Sequence, residues 1–256
     1  MDSNTGILTI EKFHELLHKG INKPVKDFRN KWSPVRKKRI KVYSNAHKAS
    51  WAKATIFAER KTINIRVYLN FKKNNLSDSD YEKLKELACI GIKQYWSRNI
   101  SISGNRYQVR VYAQHSTGNA IPVDLYIETD KNKYARSMNP ALLGVDASFT
   151  YNKGAFQDDR ANSDFKLVSA HEFGHSVLMY AGGLSLSWGH KGSTNSLLQS
   201  VKSSTSGYPK KGAIDLMKYY DWEKSRADFN RRMRDSIAME VDVKRLIWSA
   251  KLQWIK

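Results

Sequence analysis

The stretch Val168-Ser169-Ala170-His171-Glu172-Phe173-Gly174-His175-Ser176-Val177-Leu178 constrains this chain more than any other. Asn162, Ser163 and Asp164 offer N-caps ahead of it, apolar residues recur through Leu178, and Gly182-Gly183 supplies a stop, so a helix is predicted. On a helix His171 and His175 project from the same face, where both imidazoles reach one metal ion. Glu172 is rotated about 100° from His171 around the axis, which places a carboxylate beside the metal, able to take a proton from bound water.

A chance match to this His-Glu-x-x-His spacing has a probability on the order of 1% in a chain of 256 residues. A surface helix carrying it by accident would be polar around it. Here Phe173, Val177, Leu178 and Met179 make the helix apolar on its other sides, as a central buried helix requires. Burying two histidines and a glutamate without a partner is costly, and a metal removes that cost.

The pattern occurs a second time, as His14-Glu15-Leu16-Leu17-His18. Thr9 as cap, Ile10, Phe13, Leu16 and Leu17 at helical spacing, and Gly20 as stop predict a short peripheral helix there. It follows no strand system and has no further ligand cluster nearby, so the metal is assigned to the later copy.

Between the two copies the pattern alternates. Ala54, Ile56 and Ala58, then Ile63, Ile65, Val67, Leu69 and Phe71, predict two strands around a turn near Glu59-Arg60-Lys61. Ser77 or Asp78 caps a helix whose apolar face is Tyr81, Leu84, Leu87, Ala88, Ile92 and Tyr95. Strands follow at 107–112 and 123–127, with a shorter one at 144–149 just before the metal helix. That short strand is expected to form the sheet edge over the site, where an extended peptide adds as a further strand. A loop-like tract runs to Gly212, and roughly 225–256 reads as helical, with Phe229, Met233, Ile237, Val241, Leu246 and Ile247 turned inward. The order implies an α+β fold, a mixed sheet with helices packed against it and a mainly helical C-terminal part. Residues 1–50 read as a basic N-terminal segment with one short helix, and 51–256 as the domain carrying the site.

Cys89 is the only cysteine, which excludes an intramolecular disulfide and a cysteine-based zinc knuckle; its apolar surroundings imply packing. The formal charge of +20 favours acidic partners, whether nucleic acid, anionic membrane or acidic protein. The densest basic run, Arg36-Lys37-Lys38-Arg39-Ile40-Lys41, reads as a solvated linker with a basic bias, with a polyanion-binding or targeting segment as the alternative. No window approaches a transmembrane span, and the N-terminus lacks the basic start and apolar run of a secretory signal.

Catalytic zinc generally has three protein ligands and an open position for water. His190 is the next histidine after His175 and lies in a glycine-flanked loop that can turn back to the metal. Asp215 is an acidic alternative; Glu223 and Glu240 are the choices if the third ligand is a glutamate.

Asp215-Leu216-Met217-Lys218-Tyr219 resembles the methionine-containing turn of the metzincin group of zinc peptidases, which departs from it at the first residue. By that resemblance Met217 would support the zinc from beneath, and Tyr219 would stabilise the tetrahedral intermediate. The metzincin third histidine falls ten positions after the first, where this chain has Ala181, so His190 would arrive on a longer loop. The set Ala170-His171-Glu172-Phe173-Gly174-His175, Ser187-Trp188-Gly189-His190-Lys191-Gly192 and Ile214-Asp215-Leu216-Met217-Lys218-Tyr219-Tyr220 also resembles the metallopeptidase toxin domains of bacterial polymorphic toxins and type VI secretion spike proteins. That resemblance implies delivery by a specialised secretion system without a signal peptide, and an acidic immunity protein as partner; otherwise a cytoplasmic location is expected.

The expected function is zinc-dependent peptide hydrolysis, with Zn²⁺ on His171 and His175 and Glu172 as base. The alternatives are a basic nucleic-acid-binding protein with a structural metal site, and an inactive peptidase-like binding module.

Overall fold

The alternation at Ile63, Ile65, Val67, Leu69 and Phe71 becomes strand β2 (Thr62–Lys72), whose five apolar side chains are all buried. The turn at Glu59-Arg60-Lys61, with Lys61 in the left-handed region (φ 48°), joins it to antiparallel β1 (Ala49–Phe57). The computed structural model describes residues 10–20, 48–139, 145–156, 158–183, 187, 207–218, 220 and 226–255.

Strand β2 is the hub of a seven-stranded mixed sheet. It pairs in parallel with β4 (Asn105–His115) over Thr62–Leu69 and with β5 (Ile121–Glu128) over Leu69–Lys72, Leu69 being bridged to both. Antiparallel β3 (Arg98–Ile102) extends β4, and parallel β6 (Ala147–Asn152) extends β5. On the other side β1 pairs with parallel β9 (Ala250–Ile255).

Helix α2 (Asp78–Trp96) starts where expected: Ser77 Oγ accepts from Asp80 N at 3.1 Å, satisfying one of the N-terminal amides. Its buried face, Leu84, Ala88, Gly91, Ile92, Tyr95 and Trp96, packs on the sheet and on helix α3 (Asp158–Gly182). The two helices meet so closely that a Cβ on Gly91 would lie 2.1 Å from the Lys166 carbonyl oxygen. Backbone cannot rotate aside as a side chain can. Gly91→Ala is therefore expected to destabilise by about 1–3 kcal/mol, instead of giving the gain of about 1 kcal/mol that alanine brings at an open helical position. Urea unfolding midpoints decide between the two signs.

Helix α3 begins at Asp158, ahead of the predicted caps. Asn162 and Asp164 lie inside the helix, where Asn162 accepts from Tyr151 Oη (2.9 Å) and buried Asp164 from Tyr134 Oη (3.1 Å). Side chains that read as caps are thus held by tyrosines from outside the helix. The N-terminal helix α1 (Ile10–Gly20) is less peripheral than expected, since Phe13 and Leu17 are fully buried and Phe13 packs against Tyr107 of β4 and Trp254 of β9.

The C-terminal part is mainly helical, with α4 (Arg226–Asp235) and α5 (Glu240–Ser249), but it does not stay helical to the end. A short pair, β7 (Ile214–Asp215) and β8 (Ser236–Ile237), brackets α4, and the last described residues form β9. Residues 251–254 alternate in polarity and burial, and the edge of β1 offers them partners, so pairing wins over helix continuation. Among the described residues no helix is long and apolar enough to cross a membrane. Cys89 is half-buried, and burial pushes its thiol up to about 11, consistent with packing.

The short strand before α3 is present as β6, yet it is not outermost. Its outer edge is covered by residues 135–139: Met138 N donates to Ser148 O (2.9 Å), Ser148 N to Met138 O (2.7 Å) and Thr150 N to Ser137 Oγ (2.9 Å). The edge lies one segment further out than the sequence implies, and its outward side chains include exposed Arg136 and Met138.

Candidate metal centre

Helix α3 is buried on every side over residues 169–178 because it is enclosed by neighbouring elements. Phe173 makes edge-on ring contacts with Trp51 of β1 (5.8 Å) and Trp96 of α2 (5.3 Å), and Trp96 Nε1 donates to Ala170 O at 3.0 Å. His171, Glu172 and His175 are all buried, and one donor atom of each lies within 4.8 Å of the other two. Among the described residues this is the one group of three or more His, Cys, Asp or Glu donors close enough to hold an ion.

What orients the imidazoles is backbone. His171 Nδ1 lies 2.6 Å from Leu216 O, and His175 Nδ1 lies 3.1 Å from both Ser187 O and Ser187 Oγ. A carbonyl only accepts, so each Nδ1 carries the proton and donates it; this tautomer leaves the lone pair on Nε2. The rings stand edge to face at 4.9 Å, and His175 Nε2 is 3.8 Å from Glu172 Oε2.

Burial pushes His171 down to about 4, with Arg232 and Arg136 lowering it further against the Leu216 hydrogen bond. Burial pushes Glu172 up to about 8, opposed by the charge of Arg136 and by Asn139. Burial thus opposes the charged forms of both His171 and Glu172, and for Glu172 it outweighs the charge of Arg136. A dication among them reverses that cost by favouring the lone pairs and the carboxylate together. Nitrogen and carboxylate donors on one helical turn suit zinc, so the residues present fit a metal.

The turn at 215–217 lies directly beneath. Asp215 Oδ1 accepts from Met217 N (3.0 Å), and Leu216 N donates to Ile237 O (3.1 Å), which fixes the carbonyl that holds His171. Met217 is fully buried against α3, and a Cβ on Gly174 would lie 2.2 Å from its Sδ and 3.0 Å from Trp96 Cζ2. Gly174→Ala must displace the end of the buried Met217 side chain that packs beneath the two histidines. The expected result is a loss of about 10–100-fold in zinc affinity, read by competition with a chromogenic chelator.

Of the residues singled out in the sequence, His171, Glu172 and His175 come together. Asp215 is buried close by, but its carboxylate shapes the turn and is not in the donor group. Glu240 accepts from Ser101 N (3.1 Å) and pairs with Lys244 (2.6 Å), also outside the group. His190, Tyr219 and Glu223 lie outside the described residues, as does the basic run 36–41. Tyr220 Oη accepts from Asp215 N at 3.1 Å. In the N-terminal copy of the motif Glu15 pairs with Lys12 and His14 meets Lys48, and neither joins a donor group; the His18 side chain is outside the described residues.

Sequence reasoning missed Ser187, the Leu216 carbonyl and Asn139, whose Nδ2 donates to Glu172 O (2.7 Å) and Ser176 Oγ (2.8 Å). None carries a spacing signal, because each acts through a contact made by the fold. Comparison of the chain with protein-family models, with curated proteins and with solved structures finds no match.

Proposed function

We propose that the protein is a zinc-dependent metallopeptidase acting on protein or peptide substrates. The observation that carries this reading is the pair of imidazoles on successive turns of α3, each fixed through Nδ1 by a backbone carbonyl, with the Glu172 carboxyl group in the same donor cluster, 3.8 Å from His175 Nε2. His171 and His175 would hold the zinc, which when bound would supply Lewis-acid chemistry, polarising a carbonyl and lowering the pKa of a bound water toward about 7. Glu172 accepts the water's proton and passes it to the leaving amine. The outer edge of residues 135–139, fastened to α3 through Asn139, offers main-chain groups to an extended peptide.

His190 is the third ligand in this proposal. Its support is sequence proximity: His190 follows by three residues Ser187, whose carbonyl accepts from His175 Nδ1. Tyr219 is proposed to hydrogen-bond the oxyanion. Delivery as an effector domain, with an acidic immunity protein as partner, is a further part of the proposal; its support is the sequence resemblance and the +20 charge.

Mass spectrometry of a mixed-sequence peptide library tests the activity. Zinc-loaded protein should generate new termini, a chelator should stop it and added zinc restore it. A zinc-loaded protein that leaves every peptide intact contradicts the proposal.

A further inference from the structure

The structure points to a second binding surface, unrelated to the metal: we propose that the face of the sheet on which none of the described helices packs binds single-stranded nucleic acid. The helices pack on the side of β2 that carries Ile63, Ile65, Val67, Leu69 and Phe71. On the opposite side, Lys53, Arg66, Arg106 and Arg110 are exposed and Lys251 is half-exposed. Strands β3, β4, β2, β1 and β9 contain no aspartate or glutamate at all.

The cations are also aligned. Lys251, Lys53 and Arg66 stand directly opposite one another on three adjacent strands, and the row continues to Tyr112. Two residues along, the next row reads Gln253, Thr55, Asn64 and Arg110. Like charges placed directly opposite one another weaken strand pairing. None of the ion pairs among the described residues involves Lys53, Arg66, Arg110 or Lys251, so no described carboxylate relieves that repulsion. A polyanion laid across the rows does relieve it.

The neighbours of the cations favour a nucleic acid over other polyanions. Lys53 Nζ lies 5.6 Å from the Tyr68 ring and Lys93 Nζ lies 5.9 Å from the Tyr112 ring. Phenol faces set among cations provide stacking for bases beside charge for phosphates. Asn64, Gln108, Gln114 and Gln253 add amides able to meet base edges. A membrane-binding face would insert apolar side chains, whereas Ile255, at one end of β9, is the exposed large aliphatic of these five strands.

Fluorescence anisotropy of the full holoprotein with a labelled oligothymidylate is the test. The wild type should bind at low salt. Lys53→Glu with Arg66→Glu should weaken binding by about tenfold or more and flatten the slope of log affinity against log salt by about 1.4. Lys210→Glu with Lys211→Glu, an equal charge change at exposed positions outside the sheet, should leave affinity within about twofold. Lys53→Glu alone places a carboxylate between Lys251 and Arg66, so it should raise the melting temperature while weakening binding, which separates lost binding from lost folding. Absence of oligonucleotide binding, an unchanged double variant, an equal loss in the control, or preference for anionic vesicles or polyglutamate overturns the proposal. Zinc content and peptide hydrolysis should be the same in all these variants, so this inference and the peptidase reading fail separately.

Discussion

Glu172→Gln is expected to lower peptide hydrolysis by about 10²–10⁴-fold while zinc remains bound at one ion per chain. The substitution keeps the shape of a buried side chain and removes only its ability to take a proton. It also removes a carboxyl group whose ionisation burial opposes, so folding stability should be unchanged or slightly higher. Steady-state kcat/KM and metal analysis on the same preparation give both readouts. They separate two roles that the geometry brings close together, since Glu172 Oε2 is 3.8 Å from His175 Nε2 and counts among the group's donors. A base leaves zinc in place when it is replaced; a ligand does not. Loss of zinc from Glu172→Gln would reassign Glu172 to the coordination sphere and remove the proposed proton carrier.

Metal removal is expected to have the second large effect. In the proposed site zinc would bind the folded chain through imidazoles held by Leu216 and Ser187, an arrangement the unfolded chain lacks. At free zinc 100-fold above its dissociation constant, this linkage contributes about 2.7 kcal/mol. For a domain of this size that corresponds to a fall in Tm of about 5–11 °C when a chelator is added. His171→Ala should bind no zinc, melt at or below the chelated wild type, and show no further response to chelator. The same protocol applied to His14→Ala should reproduce the wild type, because His14 is engaged with Lys48 and belongs to no donor group. A chelator response that follows His14 and ignores His171 would move the metal to the wrong copy of the motif.

The parts of the fold that were legible in the sequence are those where one local signal fixes one element. The alternation through Ile63 to Phe71 gave β2 and its buried side, the Ser77 hydroxyl gave the start of α2, and His171 to His175 gave a buried helical turn with three donors. What escaped depends on partners distant in sequence. β9 is a strand because β1 had an open edge, and its residues follow directly on Val243, Leu246 and Ile247, whose spacing is helical. Asn162 and Asp164 read as caps because the tyrosines that occupy them, Tyr151 and Tyr134, are visible only once β6 and the segment before it are placed.

The site divides in the same way. Ligands on a single helix announce themselves by spacing, whereas the groups that set their tautomers arrive from Leu216 and Ser187 as main-chain oxygens, which any residue type supplies. Gly174 is the instructive intermediate case. In sequence it looks like a weakness in the middle of a helix, and in the fold it is the gap that admits Met217 beneath the two histidines. The position of the third ligand has no comparable local signature, because a loop of any length can deliver it.

Anomalous X-ray scattering from crystals of the zinc-loaded protein, recorded on both sides of the zinc absorption edge, tests the metal centre most directly. The account predicts one strong peak per chain within about 2.1 Å of Nε2 of both His171 and His175, with His190 supplying a third contact and Glu172 beside an open position. A peak elsewhere, or density showing the two Nε2 atoms bonded to protein groups with no ion between them, would contradict it.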